Sequence, residues 1–164
     1  MSFLKKIFSR KADKTSFPKI SLGFRGEDLE YETQNDSLSI SSTWINGRRI
    51  YMDDIQHWKS KNIISDFDKS IIFKDILEFL NKKCKERPIV VINIDHNKRL
   101  WENLCEQYIE QIESIEYQSD KEKEQFLFDS MLENIRRGGT LIVDNKTIKT
   151  EEQFLNYWQS RDKK

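Results

Sequence analysis

The chain has 164 residues, with 28 Lys and Arg against 28 Asp and Glu, 37% apolar residues and 34% charged ones. A chain of this length suits one domain and can bury roughly 70% of its unfolded surface. Ten Phe, five Tyr and four Trp at patterned positions exclude wholesale disorder, and no apolar run is long enough to span a membrane.

The first stretch, MSFLKKIFSRKADK, belongs to a segment, Met1 to Lys19, with six basic residues and one acidic one. Phe3, Leu4, Ile7 and Phe8 would share a helical face, so residues 1–17 are expected to form a basic amphipathic tail. Two helical turns bury too little apolar area to hold a membrane alone, so at most weak membrane association is expected. The apolar part is too short for a secretory signal.

From Lys19 to Trp58 the pattern has period two. Ile20, Leu22 and Phe24 alternate with other residues, then Leu29 and Tyr31, then Leu38 and Ile40, then Ile50 and Met52. Polar separators lie between them, and Asn46-Gly47 supplies the positive φ angles that a two-residue hairpin turn needs. The expectation is a meander of three or four antiparallel strands, with Asp53-Asp54 capping a short helix, IQHWKS.

The stretch from Ile63 to Asp95 organises the rest. Ile72, Ile76, Phe79, Leu80 and Cys84 recur at helical steps behind a Ser65/Asp68 start, and Pro88 ends the helix. The run IVVINI that follows is short, β-branched and continuous, the pattern of a strand buried on both faces. Asp95 or Asn97 then caps a second long helix with the stripe Leu100, Trp101, Leu104, Cys105, Tyr108 and Ile112. SIEYQ reads as a brief strand or an extended link. Ser119 with Glu122 is a capping box for a third helix, whose inner face is Leu127, Phe128, Met131, Leu132 and Ile135. Gly138-Gly139 ends it. TLIVDNKTIK reads as a hairpin turning at Asp144-Asn145-Lys146. Thr150 with Gln153 opens a last helix, docked by Phe154, Leu155 and Trp158.

The fold class read from this order is α+β. An antiparallel N-terminal meander sheet packs against three or four helices, with a buried central strand and a late β-hairpin, both of which join or extend the sheet. Residues 18–164 form a single domain, or sub-lobes 18–95 and 96–164.

Little in the sequence carries chemistry. His57 and His96 are far apart, and Cys84 and Cys105 lack metal-ligand spacing and sit at apolar helix positions, so no metal is expected. Gly138-Gly139 follow a helix rather than precede one, the wrong end for a phosphate. No cofactor and no catalytic residue are assigned. The candidate for catalysis is Asp95-His96, a base and its orienter at the end of the buried strand. The competing reading is a helix cap beside a loop histidine.

Charge is more informative. Trp101 to Asn134 holds ten acidic and two basic residues. Phosphates would avoid such a half, so no nucleic acid is expected as a partner, although Lys82, Lys83, Lys85 and Arg87 cluster after the central helix. Glu102, Glu106, Glu110 and Glu113 fall at steps of three and four, as on one helix face, and Glu122 and Asp129 continue the charge on the next helix. Like charges at this spacing cost helix stability. These six are the candidate surface for one basic protein partner, and the bland reading is a solvated helix face.

The segment LEYETQNDSLSISSTWINGRRIYMDDIQHWKSKNIISDFDKSIIFKDILEFL resembles small bacterial immunity proteins in its order of strands, turns and Ser-Asp-started helix. The resemblance covers about a third of the chain and carries over no partner-contact residue. It implies a non-enzymatic cytoplasmic inhibitor that neutralises a cognate toxin by binding it. The alternatives are a hydrolase-like enzyme at Asp95 and His96, and a peripheral membrane adaptor using the N-terminal tail.

Overall fold

The structure is a computed structural model, and it describes residues 16–161. The tail residues Phe3, Leu4, Ile7 and Phe8 lie outside the described residues. The described chain falls into two compact units. One holds residues 16–92 with Arg99–Glu116, the other Asn93–Lys98 with residues 117–161.

The fold is α+β. Strands β1 (Lys19–Leu22), β2 (Asp28–Glu32), β3 (Ser37–Trp44) and β4 (Arg48–Tyr51) form the antiparallel meander. β5 (Ile89–Asn93) joins parallel to β4, and β6 (Ser114–Gln118) completes a six-stranded sheet ordered β1-β2-β3-β4-β5-β6. All five residues of β5 are buried, as a β-branched run without alternation requires. In β2 and β3 the alternation puts Leu29, Tyr31, Leu38 and Ile40 inside.

Helix α1 (Asp66–Phe79) starts at Ser65, whose side chain accepts the Asp68 backbone N–H. It buries Ile72 and Ile76 together with Phe73 and Leu77, so its inner stripe is wider than the expected one. The last turn, Leu80–Cys84, widens to π-helical hydrogen bonding, and Lys85 closes it in the left-handed region at φ 58°. Helix α2 (Lys98–Gln107) buries Trp101, Leu104 and Cys105, and Trp101 packs 6.0 Å from the Phe73 ring.

In the second unit, α3 (Asp120–Arg136) begins with the full Ser119/Glu122 capping box, and Gly138 ends it at φ 84°. Strands β7 (Leu141–Val143) and β8 (Lys146–Ile148) turn at Asp144-Asn145, with φ 49° and 61°, the positive pair of a two-residue hairpin. Helix α4 (Glu151–Arg161) starts at Thr150, whose Oγ1 accepts the Gln153 backbone N–H at 3.2 Å. Leu132, Ile135, Ile148 and Phe154 form the small core, with Phe128 and Trp158 stacked on Phe154.

Four local expectations are corrected. Phe24 leaves β1 for a single turn, Phe24–Gly26, where Arg25 and Gly26 take positive φ, and its ring is exposed. The predicted IQHWKS helix is absent: after one turn, Met52–Asp54, the backbone N–H groups of Trp58, Lys59 and Ile64 bond Asn62, Ser37 and Gln56 instead of continuing a helix. The late hairpin forms a two-stranded sheet of its own rather than extending the large one. Leu127 and Leu155 point to solvent while their neighbours Phe128 and Phe154 turn inward.

Candidate functional site

Of the six predicted contact residues, the first four do not form one helical row. α2 stops at Gln107, because Tyr108 leaves helical angles (φ −115°, ψ 28°) and turns its ring edge-on to Phe73 at 6.1 Å. A separate turn, Ile109–Gln111, follows, and Ile112 is buried in extended conformation. Only Glu102 and Glu106 therefore share the α2 face. Glu110 sits on the separate turn and Glu113 leads into β6.

The segment after α2 is tied down through its backbone. Asn81 Nδ2 donates to the Gln111 carbonyl at 3.0 Å, and Arg87 Nη2 to the Ile112 carbonyl at 2.6 Å. The Glu113 N–H donates to the Pro88 carbonyl at 2.8 Å. Glu106, Glu110 and Glu113 are exposed, and among the described residues they make no ion pair. Ile109 is exposed between them. Glu102 differs. It is half-buried, and its charge adds to the burial that pushes the Cys105 thiol up to about 12.

The two candidates in the second unit have local roles. Glu122 accepts the Ser119 N–H at 2.8 Å and the Ser119 hydroxyl at 3.0 Å, and the first of these holds its carboxyl below the usual range. Asp129 is exposed and accepts Gln125 Nε2 at 3.0 Å. Nearby acids are paired: Glu124 with Arg161 at 3.7 Å, Glu133 with Arg137 at 2.7 Å and Glu151 with Arg136 at 2.7 Å. Such pairing leaves less free charge on this unit than the sequence count suggests.

Asp95 and His96 do meet a third polar group. His96 Nε2 lies 2.9 Å from Asp120 Oδ2, and Asn93 Nδ2 donates to Asp120 Oδ1 at 2.7 Å. Asp95 Oδ2 accepts the Asp120 backbone N–H at 2.8 Å, and Asn93 Oδ1 accepts the Asp95 N–H at 2.9 Å. The Asn93 bond, and then the His96 bond, hold the Asp120 carboxyl below its ordinary value. A histidine held by a carboxylate can take a proton as a general base. The same bonds also fasten the turn after β5 to the first residue of α3. The open hollows of about 620 Å³ at β8 and α4 and about 480 Å³ beside β2 and β3 are lined by other residues.

Sequence reading missed Asp120 as the partner of His96, because 24 residues separate them and no local motif signals the contact. It also missed Arg48, which no local motif marks. Arg48 is buried, with Nε 2.5 Å from Glu86 and Nη1 donating to the Gly26 carbonyl and Ser42 Oγ. Comparison with protein families, with curated proteins and with solved structures finds no match to this chain. Among the described residues, no helix is long and apolar enough to cross a membrane.

Proposed function

We propose that this chain is a non-enzymatic inhibitor of the immunity type, acting in the cytoplasm by binding one basic protein partner, a cognate toxin. The observation that carries the reading is the segment Glu106 to Glu113. Three carboxylates stand exposed there without a cation partner among the described residues, on a backbone fixed by three hydrogen bonds. A fixed backbone lowers the ordering cost of association, and unpaired charge speeds encounter with a surface of opposite sign. Ile109 gives the same segment an apolar contact at its centre. Glu102, Glu122 and Asp129 have local partners or are partly covered, so they are secondary in this reading.

Affinity capture from lysate of the native organism, with the wild type and with Glu106, Glu110 and Glu113 changed to lysine, tests it. One basic protein held by the wild type and lost with the triple change supports the reading. A partner retained by the triple variant counts against this surface.

A second reading is favoured by one observation, the Asp120 carboxylate 2.9 Å from His96. In it, His96 is a general base and the chain a hydrolase. Turnover of ester or phosphoester substrates that disappears with His96→Ala would select it.

A further inference from the structure

Asn46 is the only asparagine of the chain that a glycine follows. Trp44 pairs with Arg48 across the β3–β4 hairpin, so the loop is the three residues 45–47. The Ile45 carbonyl accepts Arg49 Nη1, and the Ile45 N–H donates to the Gly47 carbonyl at 3.1 Å. Asn46 is exposed at φ 52°, and Gly47 stands at φ 128°. Among the described residues, neither the Gly47 N–H nor the Asn46 side chain makes a hydrogen bond.

This combination favours one spontaneous reaction. The backbone nitrogen after an asparagine can attack the side-chain amide carbon, because closure forms a five-membered ring. A Cβ on the following residue hinders that approach, and glycine has none. A nitrogen whose N–H is already bonded must first give up its partner. The other exposed turn asparagines lack the combination. Asn35 precedes Asp36, whose N–H donates to Thr33 Oγ1 at 2.9 Å. Asn97 precedes Lys98 at the start of α2, and Asn145 precedes Lys146 of β8, so each is followed by a residue with a Cβ.

We propose that Asn46 is the chain's site of spontaneous conversion to isoaspartate and aspartate, and that conversion loosens the hairpin that carries Arg48. Gly47 N bonds to Asn46 Cγ, the Cγ–Nδ2 bond breaks, and ammonia leaves with the proton lost by Gly47 N. Water then opens the cyclic imide at either carbonyl, leaving aspartate or isoaspartate. Isoaspartate routes the main chain through the former side chain and so adds one carbon, about 1.5 Å of chain, to the loop. The loop is closed on its inner side, since a Cβ at Gly47 would lie 3.3 Å from Ile89 Cδ1. The displacement therefore falls on Arg48, which holds Glu86, Ser42 and the Gly26 carbonyl. This proposal is independent of the binding role of Glu106 to Glu113.

The test ages the full folded chain in neutral buffer at physiological temperature and maps its peptides by mass spectrometry over time. Protein-isoaspartate methyltransferase, with a labelled methyl donor, reports isoaspartate directly. The expected result is amide-to-acid conversion at Asn46 before any other asparagine, faster as pH rises, with methyl label in the same peptide. Asn46→Gln should lose both signals, and circular dichroism checks that the variant stays folded. The aged wild type should unfold at lower urea than fresh protein, and aged Asn46→Gln should not. Earlier conversion at Asn35, Asn97 or Asn145 would overturn the proposal. So would conversion at Asn46 only in urea-unfolded chain, or an aged wild type with an unchanged urea midpoint.

Discussion

Arg48 shows how much one side chain can hold in place. Its side chain is 7% exposed, and its guanidinium serves Glu86, Ser42 and the Gly26 carbonyl while covering the Trp44 ring at 5.4 Å. Removing one partner of a buried pair leaves the Glu86 charge uncompensated and takes a donor from Ser42 Oγ, while the Gly26 carbonyl keeps the Ser42 hydroxyl as its donor at 2.8 Å. Arg48→Met is therefore expected to cost roughly 3 kcal/mol in urea unfolding, whereas a cost below about 0.5 kcal/mol would show the cluster to be solvated. Cysteine chemistry gives a second residue-level expectation. Burial first, and then Glu102, push Cys105 up to about 12, so its thiol stays protonated at neutral pH. Iodoacetamide should label Cys105 only after denaturant is added; labelling in the native state would contradict its burial. Asp120 sets a pH dependence. Its folded value is lowered by Asn93 and then His96, so its contribution is present above the ordinary aspartate value and lost as pH falls through the lowered one. Asp120→Asn should lower the thermal midpoint at pH 7, and the difference should close as pH falls through the lowered folded-state value, where the carboxyl is protonated folded and unfolded alike.

At the scale of elements, the caps were legible and the breaks were not. Ser65, Ser119 and Thr150 each begin a helix through a contact three residues away, which a sequence displays directly. Ser119→Ala should destabilise the second unit by about 1 kcal/mol, read as the shift in the urea midpoint of α3 amide exchange. The β5 run was legible for a related reason, since a continuous β-branched stretch has few other uses. The end of α2 was not. The stripe from Leu100 to Ile112 keeps helical spacing through Tyr108, and only the Phe73 ring, 35 residues earlier, explains why the backbone turns there. The IQHWKS segment failed likewise, because its N–H groups find partners on β3 and in the loop before α1. Contacts between distant residues decided both cases.

For the whole molecule, charge had to be read together with pairing. The excess of acid between Trp101 and Asn134 is plain in the sequence, but the sequence does not say which carboxylates have cations beside them. In the structure Glu116 is held by Arg49 at 2.8 Å, and Glu124 and Glu133 have arginine partners. Glu106, Glu110 and Glu113 have none among the described residues, which narrows the six candidates to a three-carboxylate surface. Binding through such a surface should weaken with salt, mainly through slower association. The most direct measurement is co-expression with the captured basic partner, which should arrest growth when expressed alone. The account predicts that the wild-type chain restores growth and that the folded Glu106→Lys, Glu110→Lys, Glu113→Lys variant does not. Equal rescue by the variant, or a captured partner with no effect on growth, would contradict it.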